Sequence, residues 1–446
     1  MNLTEAKPLR PTGNPPRSGS TSWPQPRRGT ALAALLTLLP SLNAVAQEAL
    51  LGAINRDAVA FAKQSDQAFE KDWLTAGPVS FALGASFSVQ YNDNFNASAF
   101  NPLADEILTP GLDLKAAWQV TKTSRLTFGV GVSYAKYLHN SKYDQFRISP
   151  LSDVTFDIQG GDFVYSFFDK FSYSPPVTSV AALSGVSTYS VLENSIGARV
   201  TWSPDKRVLQ FGYTHSDTLS PGSAPTEADN FDYLDGSSEN AYLRAGYRFF
   251  PKTQVGLEVS GSLGNRKAET QSDVSSISTG PYLEWQVRDS ININARGGFV
   301  HSWFSATQAR PESLELDSYY SNLTFTHRLT DFVSHSLSGG HQIDPGVNAG
   351  SDYVESSSVR YNITWRFRPN TSLGGNASYV IGNQPGIGTG SRTEDFDQFG
   401  YGLNLSHNFT TRLSGSLGYT LYVRESNLPD RGYRQNLATL SFRYQF

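Results

Sequence analysis

The chain has 446 residues, of which 39% are hydrophobic and 13% are aromatic, and its formal net charge at pH 7 is −4. It contains no cysteine, which excludes disulfides, zinc–thiolate sites, thiol nucleophiles and a cysteine-linked lipid anchor. The mild negative charge does not favour a nucleic-acid partner. After the N-terminal region, no apolar run reaches the length of about 20 residues that a membrane helix needs.

The first 46 residues have the layout of a secretory signal peptide. Arg27 and Arg28 precede an apolar stretch over residues 31–42, and residues 44–46 form a small-x-small cleavage pattern. The apolar stretch is too short to span a bilayer, although an N-terminal anchor helix is the alternative interpretation. We therefore expect residues 1–46 to be a signal peptide with a long n-region.

Residues 47–78 mix apolar and charged side chains without a strand pattern. Part of this segment has the spacing of an amphipathic helix. We expect a periplasmic N-terminal segment that is either a plug or docking element or a flexible leader to the first strand.

From residue 79 onward, apolar and polar residues alternate in runs of strand length. In the last run, Leu440, Phe442 and Tyr444 fall on one side, while Ser441 and Arg443 fall on the other. Successive strand residues face opposite sides, so each run has an apolar and a polar face. Repeated along the chain, this pattern predicts an all-β fold, a transmembrane antiparallel β-barrel of about 18 strands (16–18) over residues 79–446.

Short breaker clusters alternate with longer polar segments between the runs. Short turns are predicted at 121–124, 160–162, 203–206, 250–253, 288–290, 330–331, 368–370 and 410–411. Long connections are predicted at 92–107, 139–147, 174–188, 216–238, 265–275, 304–317, 343–352, 382–395 and 423–432. Outer-membrane barrels have short periplasmic turns and long extracellular loops, so we expect both termini in the periplasm. The connections 174–188 and 216–238 are among the longest, and either is long enough to fold inward as a constriction.

Large aromatic residues occur on the apolar side just before short turns or the chain end. These are Trp118, Trp202, Trp285, Trp365 and Phe446. Aromatic side chains collect at membrane–water interfaces. We expect these residues to form a membrane-interface girdle, with outer-membrane lipid as the partner of the apolar face.

The polar side of the runs carries more basic than acidic residues. The predicted pore-lining residues are the cations Lys115, Arg125, Arg199, Arg244, Arg248, Arg296, Arg328, Arg360 and Arg366, and the anions Asp113, Asp157, Glu193, Glu258 and Glu284. A barrel of about 16–18 strands is too wide for side chains to fill, so an aqueous channel remains inside. Arginines around such a channel raise the local concentration of anions. Alternatively, they pair with neighbouring carboxylates and stiffen the wall.

Patterns that indicate catalysis are weak. The seven histidines are dispersed, and His335 and His341 lie about 20 Å apart along one strand, too far to share a metal ion. No Gly-x-Ser-x-Gly elbow occurs. We expect no enzyme activity, no metal and no cofactor, with an outer-membrane barrel enzyme as an alternative.

The first run ends in an asparagine-rich segment, residues 91–96. One interpretation is a cation or sugar site at the outer mouth, in which Asp93 and the neighbouring amides supply oxygen ligands. The other is an Asx-rich turn that closes the strand.

A first strand ending in Tyr91, Asp93 and Asn94, followed by alternating strands up to the terminal Phe446, resembles the outer-membrane β-barrel porins associated with exopolysaccharide systems. The resemblance covers the layout of residues 79–446, and its local motifs are residues 91–94 and 442–446. It implies an integral outer-membrane protein that exports or admits polysaccharide, with no catalytic residues. It also implies that the barrel-assembly machinery recognises the C-terminal strand.

Together, these features predict a porin-like channel in the outer membrane. Its cargo would be small hydrophilic solutes or oligosaccharides, with passive or weakly anion-favouring passage. The alternative is a non-conducting structural or accessory barrel that serves polysaccharide export or docks a partner.

Overall fold

Nineteen β-strands make up most of the protein that the computed structural model describes, which is residues 74–174, 181–182, 184, 191–220, 234–307, 310–346, 348, 351–387 and 392–446. The strands are β1 (Leu74–Ala76), β2 (Val79–Asn92), β3 (Asp105–Thr121), β4 (Ser124–Tyr137), β5 (Gln145–Gly160), β6 (Phe163–Ser174), β7 (Val191–Trp202), β8 (Arg207–Leu219), β9 (Gly236–Phe250), β10 (Thr253–Arg266), β11 (Val274–Arg288), β12 (Ile291–Phe304), β13 (Leu314–Arg328), β14 (Val333–Pro345), β15 (Tyr353–Arg368), β16 (Thr371–Ile387), β17 (Arg392–Asn408), β18 (Leu413–Ser426) and β19 (Tyr433–Gln445). A 3-10 turn lies at Ser141–Tyr143. Within the described ranges, no helix is long and apolar enough to cross a membrane. The predicted signal peptide, 1–46, and residues 47–73 of the predicted N-terminal segment lie outside these ranges.

Strands β2 to β19 form a closed antiparallel barrel of eighteen strands. Each strand pairs with the next one in the chain, and β19 pairs with β2 from Leu437 opposite Asn92 to Gln445 opposite Gly84. Closure gives every strand two neighbours, so the ring has no open edge. The prediction of an all-β antiparallel barrel is confirmed, at the upper end of the expected strand number.

The short strand β1 folds back on the beginning of the barrel. Leu74 lies opposite Phe81, and Ala76 lies opposite Val79. Gly77, in the turn between them, has a φ of +62°, a left-handed conformation that glycine adopts without steric cost. Strand pairing therefore begins a few residues before β2.

The two ends of the barrel differ in the length of their connections. All eight predicted short turns join successive strands, at residues 122–123, 161–162, 203–206, 251–252, 289–290, 329–332, 369–370 and 409–412. Because neighbouring strands are antiparallel, these turns all lie at one end, which we call the short-turn end. The long connections lie at the other, the mouth.

At the mouth, several strands run further than the sequence predicts. Strand β16 extends to Ile387 and β17 begins at Arg392, both inside the predicted connection 382–395. Alternating hydropathy marks a strand only where its two faces lie in environments of different polarity. Where both faces are polar, the pattern ends while the backbone pairing continues.

The polarity of the two faces is reversed relative to a water-soluble protein. Large apolar side chains of the convex outer face are exposed, among them Leu257 at 63%, Phe299 at 78% and Leu403 at 61%. The inner face carries hydrogen-bonded polar groups. There the Tyr320 hydroxyl of β13 donates to Glu258 of β10, three strands away, at 3.0 Å. The concave side of a closed sheet permits such a contact.

The aromatic residues expected at the membrane interface share the short-turn end of the outer face. Trp118, Trp285, Trp365 and Phe446 are exposed there. Trp202 stacks on Phe163 of the neighbouring strand, with ring centroids 6.1 Å apart. Their position is the one that an interfacial girdle requires, and contact with headgroups stays a prediction.

The asparagine-rich segment at the end of β2 forms a turn. The Asn92 side-chain oxygen accepts the backbone N–H of Asn94 at 3.0 Å, which is the hydrogen bond of an Asx turn. The Asn94 amide is buried, accepts the N–H of Ser98 at 2.9 Å and donates to the Ser98 carbonyl at 2.9 Å. The turn is thus held by its own side chains.

The same segment also ties β2 to β19 above the last paired residues. The Asp93 carboxylate accepts the backbone and side-chain N–H groups of Asn436 at 2.7 and 2.6 Å. The Asn94 amide donates to the Arg434 carbonyl at 2.9 Å. The oxygens that a cation or sugar site would use are therefore engaged in closing the barrel, which supports the turn interpretation.

We expect Asn94→Ala to lower the free energy of unfolding by about 2 kcal/mol, because it removes buried hydrogen bonds and leaves their backbone partners unsatisfied. Urea unfolding of the refolded protein measures the change. The control is Asn101→Ala in the same connection, since Asn101 is exposed. Equal stability of the two variants would contradict a structural role for Asn94.

Candidate functional site

The residues predicted to line a pore all lie on the inner side of barrel strands. Asp113 and Lys115 are on β3, Arg125 on β4, Asp157 on β5, Glu193 and Arg199 on β7, Arg244 and Arg248 on β9, Glu258 on β10, Glu284 on β11, Arg296 on β12, Arg328 on β13, and Arg360 and Arg366 on β15. The strand register places Arg125 opposite Asp157 and Arg244 opposite Glu258. Their role in solute passage stays a prediction.

The predicted charges come together most closely on the wall formed by β9 to β13. Arg244 donates from Nε and Nη2 to one Glu258 oxygen at 3.1 and 2.5 Å, and its Nη1 lies 3.7 Å from Glu284. The side chains of Arg244 and Glu258 are only 8% and 12% exposed. The other Glu258 oxygen accepts the Tyr320 hydroxyl. We call Arg244, Glu258, Tyr282, Glu284 and Tyr320 the Arg244 cluster.

The ring of Tyr282, which Arg244 covers, lies against glycines of the neighbouring strands. The Arg244 guanidinium carbon is 4.6 Å from the centre of the Tyr282 ring, within the range of a cation–π contact. A Cβ atom on Gly256 would be 2.5 Å from this ring, and one on Gly246 would be 2.2 Å from its hydroxyl oxygen. Gln254 donates to that hydroxyl at 3.0 Å. Glycines on β9 and β10 thus let the ring lie against the wall.

Two further arginines flank the cluster and leave this wall basic. Arg296 lies opposite Tyr282 in the register, and Arg248 donates to the Ser203 hydroxyl at 2.9 Å. Together with Arg244 they lie beside two carboxylates, Glu258 and Glu284, so these five groups carry one positive charge in excess.

Other predicted residues are not part of this cluster. Arg125, Arg328 and Arg366 are exposed near the short-turn end. Asp157 accepts the Ser166 hydroxyl at 2.5 Å, and Asp113 forms an ion pair with Arg443 at 2.6 Å. The charges of the inner face are therefore divided between paired groups on the wall and exposed arginines at one rim.

The tyrosines of the Arg244 cluster were not among the predicted site residues. Tyr282 and Tyr320 both lie on the inner parity, where the sequence alternation favours polar residues. The feature of the sequence that could have identified Tyr282 and Tyr320 is that each is an aromatic residue on the polar side of its strand. The glycines that accommodate Tyr282 become its neighbours only through the pairing of β9, β10 and β11.

Histidines and carboxylates meet on the outer face rather than at an inner site. His215 Nδ1 lies 2.7 Å from Glu239, and His301 Nδ1 lies 2.6 Å from Asp317. His215 lies opposite Ile196, an exposed apolar residue of the outer face. Each imidazole thus lies within hydrogen-bond distance of a carboxylate on the neighbouring strand, which gives His215 and His301 a structural explanation.

One group in the described ranges has the composition of a metal site, Asp105, Glu106 and His139, whose ligand atoms lie within 4.8 Å of one another. The buried Asp105 carboxylate already accepts backbone N–H groups of Leu138 at 2.8 Å, His139 at 3.1 Å and Asn140 at 2.7 Å. Asp105 therefore caps the connection between β4 and β5, which accounts for its burial without a metal ion.

No family model matches the chain, and no curated protein matches it. Solved structures of similar architecture include Pseudomonas aeruginosa OccK2 (OpdF), which is 13% identical, covers 84% of this chain and 99% of its own, and gives a TM-score of 0.47. Acinetobacter baumannii OccAB3 is 11% identical over 83% of this chain and 100% of its own, with a TM-score of 0.46. The outer membrane protein OpdK from Pseudomonas aeruginosa is 12% identical over 82% and 99%, with a TM-score of 0.46.

We expect Arg244→Met to lower the free energy of unfolding by about 3 kcal/mol, because it leaves two carboxylates without their partner in a poorly solvated site. Adding Glu258→Gln should restore part of this loss, since the second change removes one of those charges. Urea unfolding of the three variants measures the coupling. Arg366→Met, at an exposed arginine of the same face, is the control and should change stability little. Strictly additive effects of Arg244→Met and Glu258→Gln would contradict the pairing.

Proposed function

We propose that this protein is an outer-membrane channel of the porin type that lets small hydrophilic solutes diffuse across the membrane. The observation that carries the proposal is the reversal of polarity in a closed barrel of eighteen strands. An apolar exterior is stable in hydrocarbon, where a closed sheet satisfies all of its backbone hydrogen bonds. A polar interior of this width holds water.

The proposed orientation is supported by the architecture of membrane barrels in general. Short turns face the periplasm in outer-membrane proteins, so the beginning of β2 and the end of β19 would lie on the periplasmic side. The N–H of Phe446 donates to the Leu83 carbonyl at 3.0 Å, so the last residue is fixed to the first barrel strand. A C-terminal strand held in this way fits recognition by the barrel-assembly machinery, and a cleaved signal peptide at residues 1–46 fits export.

A weak preference for anions is supported by the excess of arginine on the inner face. Arg125, Arg328 and Arg366 are exposed near the short-turn end, where they act on solutes directly. The paired arginine of the Arg244 cluster contributes less, because its charge is balanced by two carboxylates. The expected cargo is therefore small hydrophilic solutes or oligosaccharides, acidic ones included, and the expected chemistry is passage without catalysis.

A non-conducting accessory barrel for polysaccharide export or partner docking is the second candidate. It is favoured by one observation, the burial of Ala181 and Ala182 inside the mouth against distant strands. A lumen filled at this point would give no ionic current. Conductance therefore separates the two candidates.

We expect the refolded protein in planar bilayers to give discrete current steps and, in a KCl gradient, a reversal potential that indicates greater permeability for chloride than for potassium. Arg328→Gln/Arg366→Gln should bring this permeability ratio closer to one, because it removes exposed positive charges from the lumen. The matched control is Lys122→Gln/Lys206→Gln, which removes the same charge from short turns outside the strands. Silent bilayers would favour the accessory barrel, and a cation preference would overturn the anion proposal.

A further inference from the structure

Three residues of the connection between β6 and β7 are buried in the mouth of the barrel. Ala181, Ala182 and Ser184, which we call the mouth segment, are each less than 10% exposed, at 7%, 3% and 6%. Two of them are alanines, so they supply little apolar area of their own. Their burial therefore depends on the groups that surround them.

The mouth segment is held through its backbone carbonyls by side chains of other strands and connections. Arg424 Nε donates to the Ala181 carbonyl at 2.5 Å. The Ala182 carbonyl accepts Asn348 Nδ2 at 3.0 Å and Arg431 Nη2 at 3.3 Å.

The mouth segment also donates one side-chain hydrogen bond. The Ser184 hydroxyl donates to the Arg431 carbonyl at 2.7 Å. Both ends of the mouth segment are thus fixed to the connection between β18 and β19 or to the end of β18.

These partners belong to a distant part of the wall. Six strands separate β7 from β14, which precedes Asn348, in one direction around the ring, and five separate β6 from β18 in the other. Although Ala181, Ala182 and Ser184 belong to the connection between β6 and β7, their hydrogen bonds place them across the opening, beside the end of β18.

A buried charge cluster organises this attachment. The side chains of Arg424 and Glu394 are 0% exposed, and Arg424 Nη2 donates to one Glu394 oxygen at 2.8 Å. The same oxygen accepts the Ser426 hydroxyl at 2.7 Å. The other oxygen accepts Arg431 Nε at 2.8 Å and Gln384 Nε2 at 2.6 Å.

The geometry of the cluster leaves the arginine donors aimed at the mouth segment. With Nη2 bound to Glu394, Arg424 uses Nε for Ala181 and Nη1 for the Arg431 carbonyl. Phe396 covers the guanidinium at 4.7 Å from the ring centre. Burial of two charges is costly unless both are fully hydrogen-bonded, and replacement by apolar residues is often as stable. A role in stability alone therefore does not explain why the cluster is ionic.

We propose that Glu394 and Arg424 are positioning residues that hold the mouth segment across the opening, and that the aperture left beside it sets the upper size limit of the solutes. This inference rests on the proposed channel function. The two residues do not have to touch the solute, because they act through the carbonyls of Ala181 and Ala182.

The absence of cysteine from the chain makes the position of the mouth segment directly measurable. Ser184→Cys introduces a single, nearly isosteric thiol at a buried position. In the full-length refolded protein we expect it to react slowly with a maleimide. Adding Glu394→Gln or Arg424→Gln should accelerate the reaction at least about tenfold, since breaking a buried charge pair releases the groups it holds.

Two further variants make this measurement decisive. Asn348→Ala removes one hydrogen bond to the Ala182 carbonyl without changing any charge, so an intermediate acceleration is expected even if the charge variants refold poorly. Lys136→Gln breaks a different ion pair near the mouth, the one with Asp144, and should leave the reaction rate unchanged. Folding is checked by heat-modifiable migration in electrophoresis. Unchanged thiol rates in folded Glu394→Gln, Arg424→Gln and Asn348→Ala proteins would overturn the positioning role.

The size limit is tested by swelling of proteoliposomes in a series of neutral sugars from mono- to tetrasaccharides. We expect Glu394→Gln to raise the swelling rate several-fold for the largest sugars and much less for the monosaccharide. An unchanged dependence on sugar size, with a faster thiol reaction, would overturn the size-limit inference. If neither protein admits any sugar or ion, the channel function is wrong, whereas the thiol rates still decide whether the two residues position the segment.

Discussion

The structure depends on one constraint, that every backbone N–H and C=O group within the apolar zone has a partner inside the sheet. Hydrocarbon offers no hydrogen bonds, so an open strand edge there would cost several kcal/mol for each unsatisfied group. The pairing of β19 with β2 removes that edge. The remaining features follow from closure. A ring of eighteen strands has an outer face that must be apolar, and an inner face too wide for its own side chains to fill.

Closure also explains why side-chain and terminal hydrogen bonds reinforce the seam. The strands that meet at the seam, β2 and β19, are furthest apart along the chain. Their pairing therefore closes the longest loop of any neighbouring pair, which is entropically the most costly. Asp93 and Asn436 add two hydrogen bonds across the seam at the mouth, and Phe446 adds one at the short-turn end. The Asx turn after β2 is thus part of barrel closure, a role that residues 91–96 do not reveal when considered as a local motif.

The sequence predicted the features that depend on local chemistry. Breakers such as those at 369–370 mark the short turns, and the alternation of side chains assigns Asp113 and Arg244 to the inner face. What the sequence did not predict depends on register or on distant contacts. Arg244 meets both Glu258 and Glu284 because three strands are aligned in one way, and a shift by one residue would place an arginine in lipid. The contact of Ala181 with Arg424 has no local signal, since 243 positions separate the two residues.

Buried ion pairs on the inner wall require an explanation, because water would solvate the same groups at no cost. At the mouth, the wall must hold a segment of chain that offers almost only backbone carbonyls, and apolar side chains cannot bind those groups. A guanidinium can, provided that its charge is balanced and its orientation is fixed, and Glu394 does both for Arg424. In the Arg244 cluster, a guanidinium bound to a carboxylate likewise fixes side chains of the wall. Tyr320 bonds to the carboxylate of Glu258, and Tyr282 lies against the guanidinium. The inner face therefore combines buried, paired charges with exposed arginines at the short-turn rim. In the proposed channel, the paired charges would fix the shape of the passage, and the exposed arginines would act on the solutes.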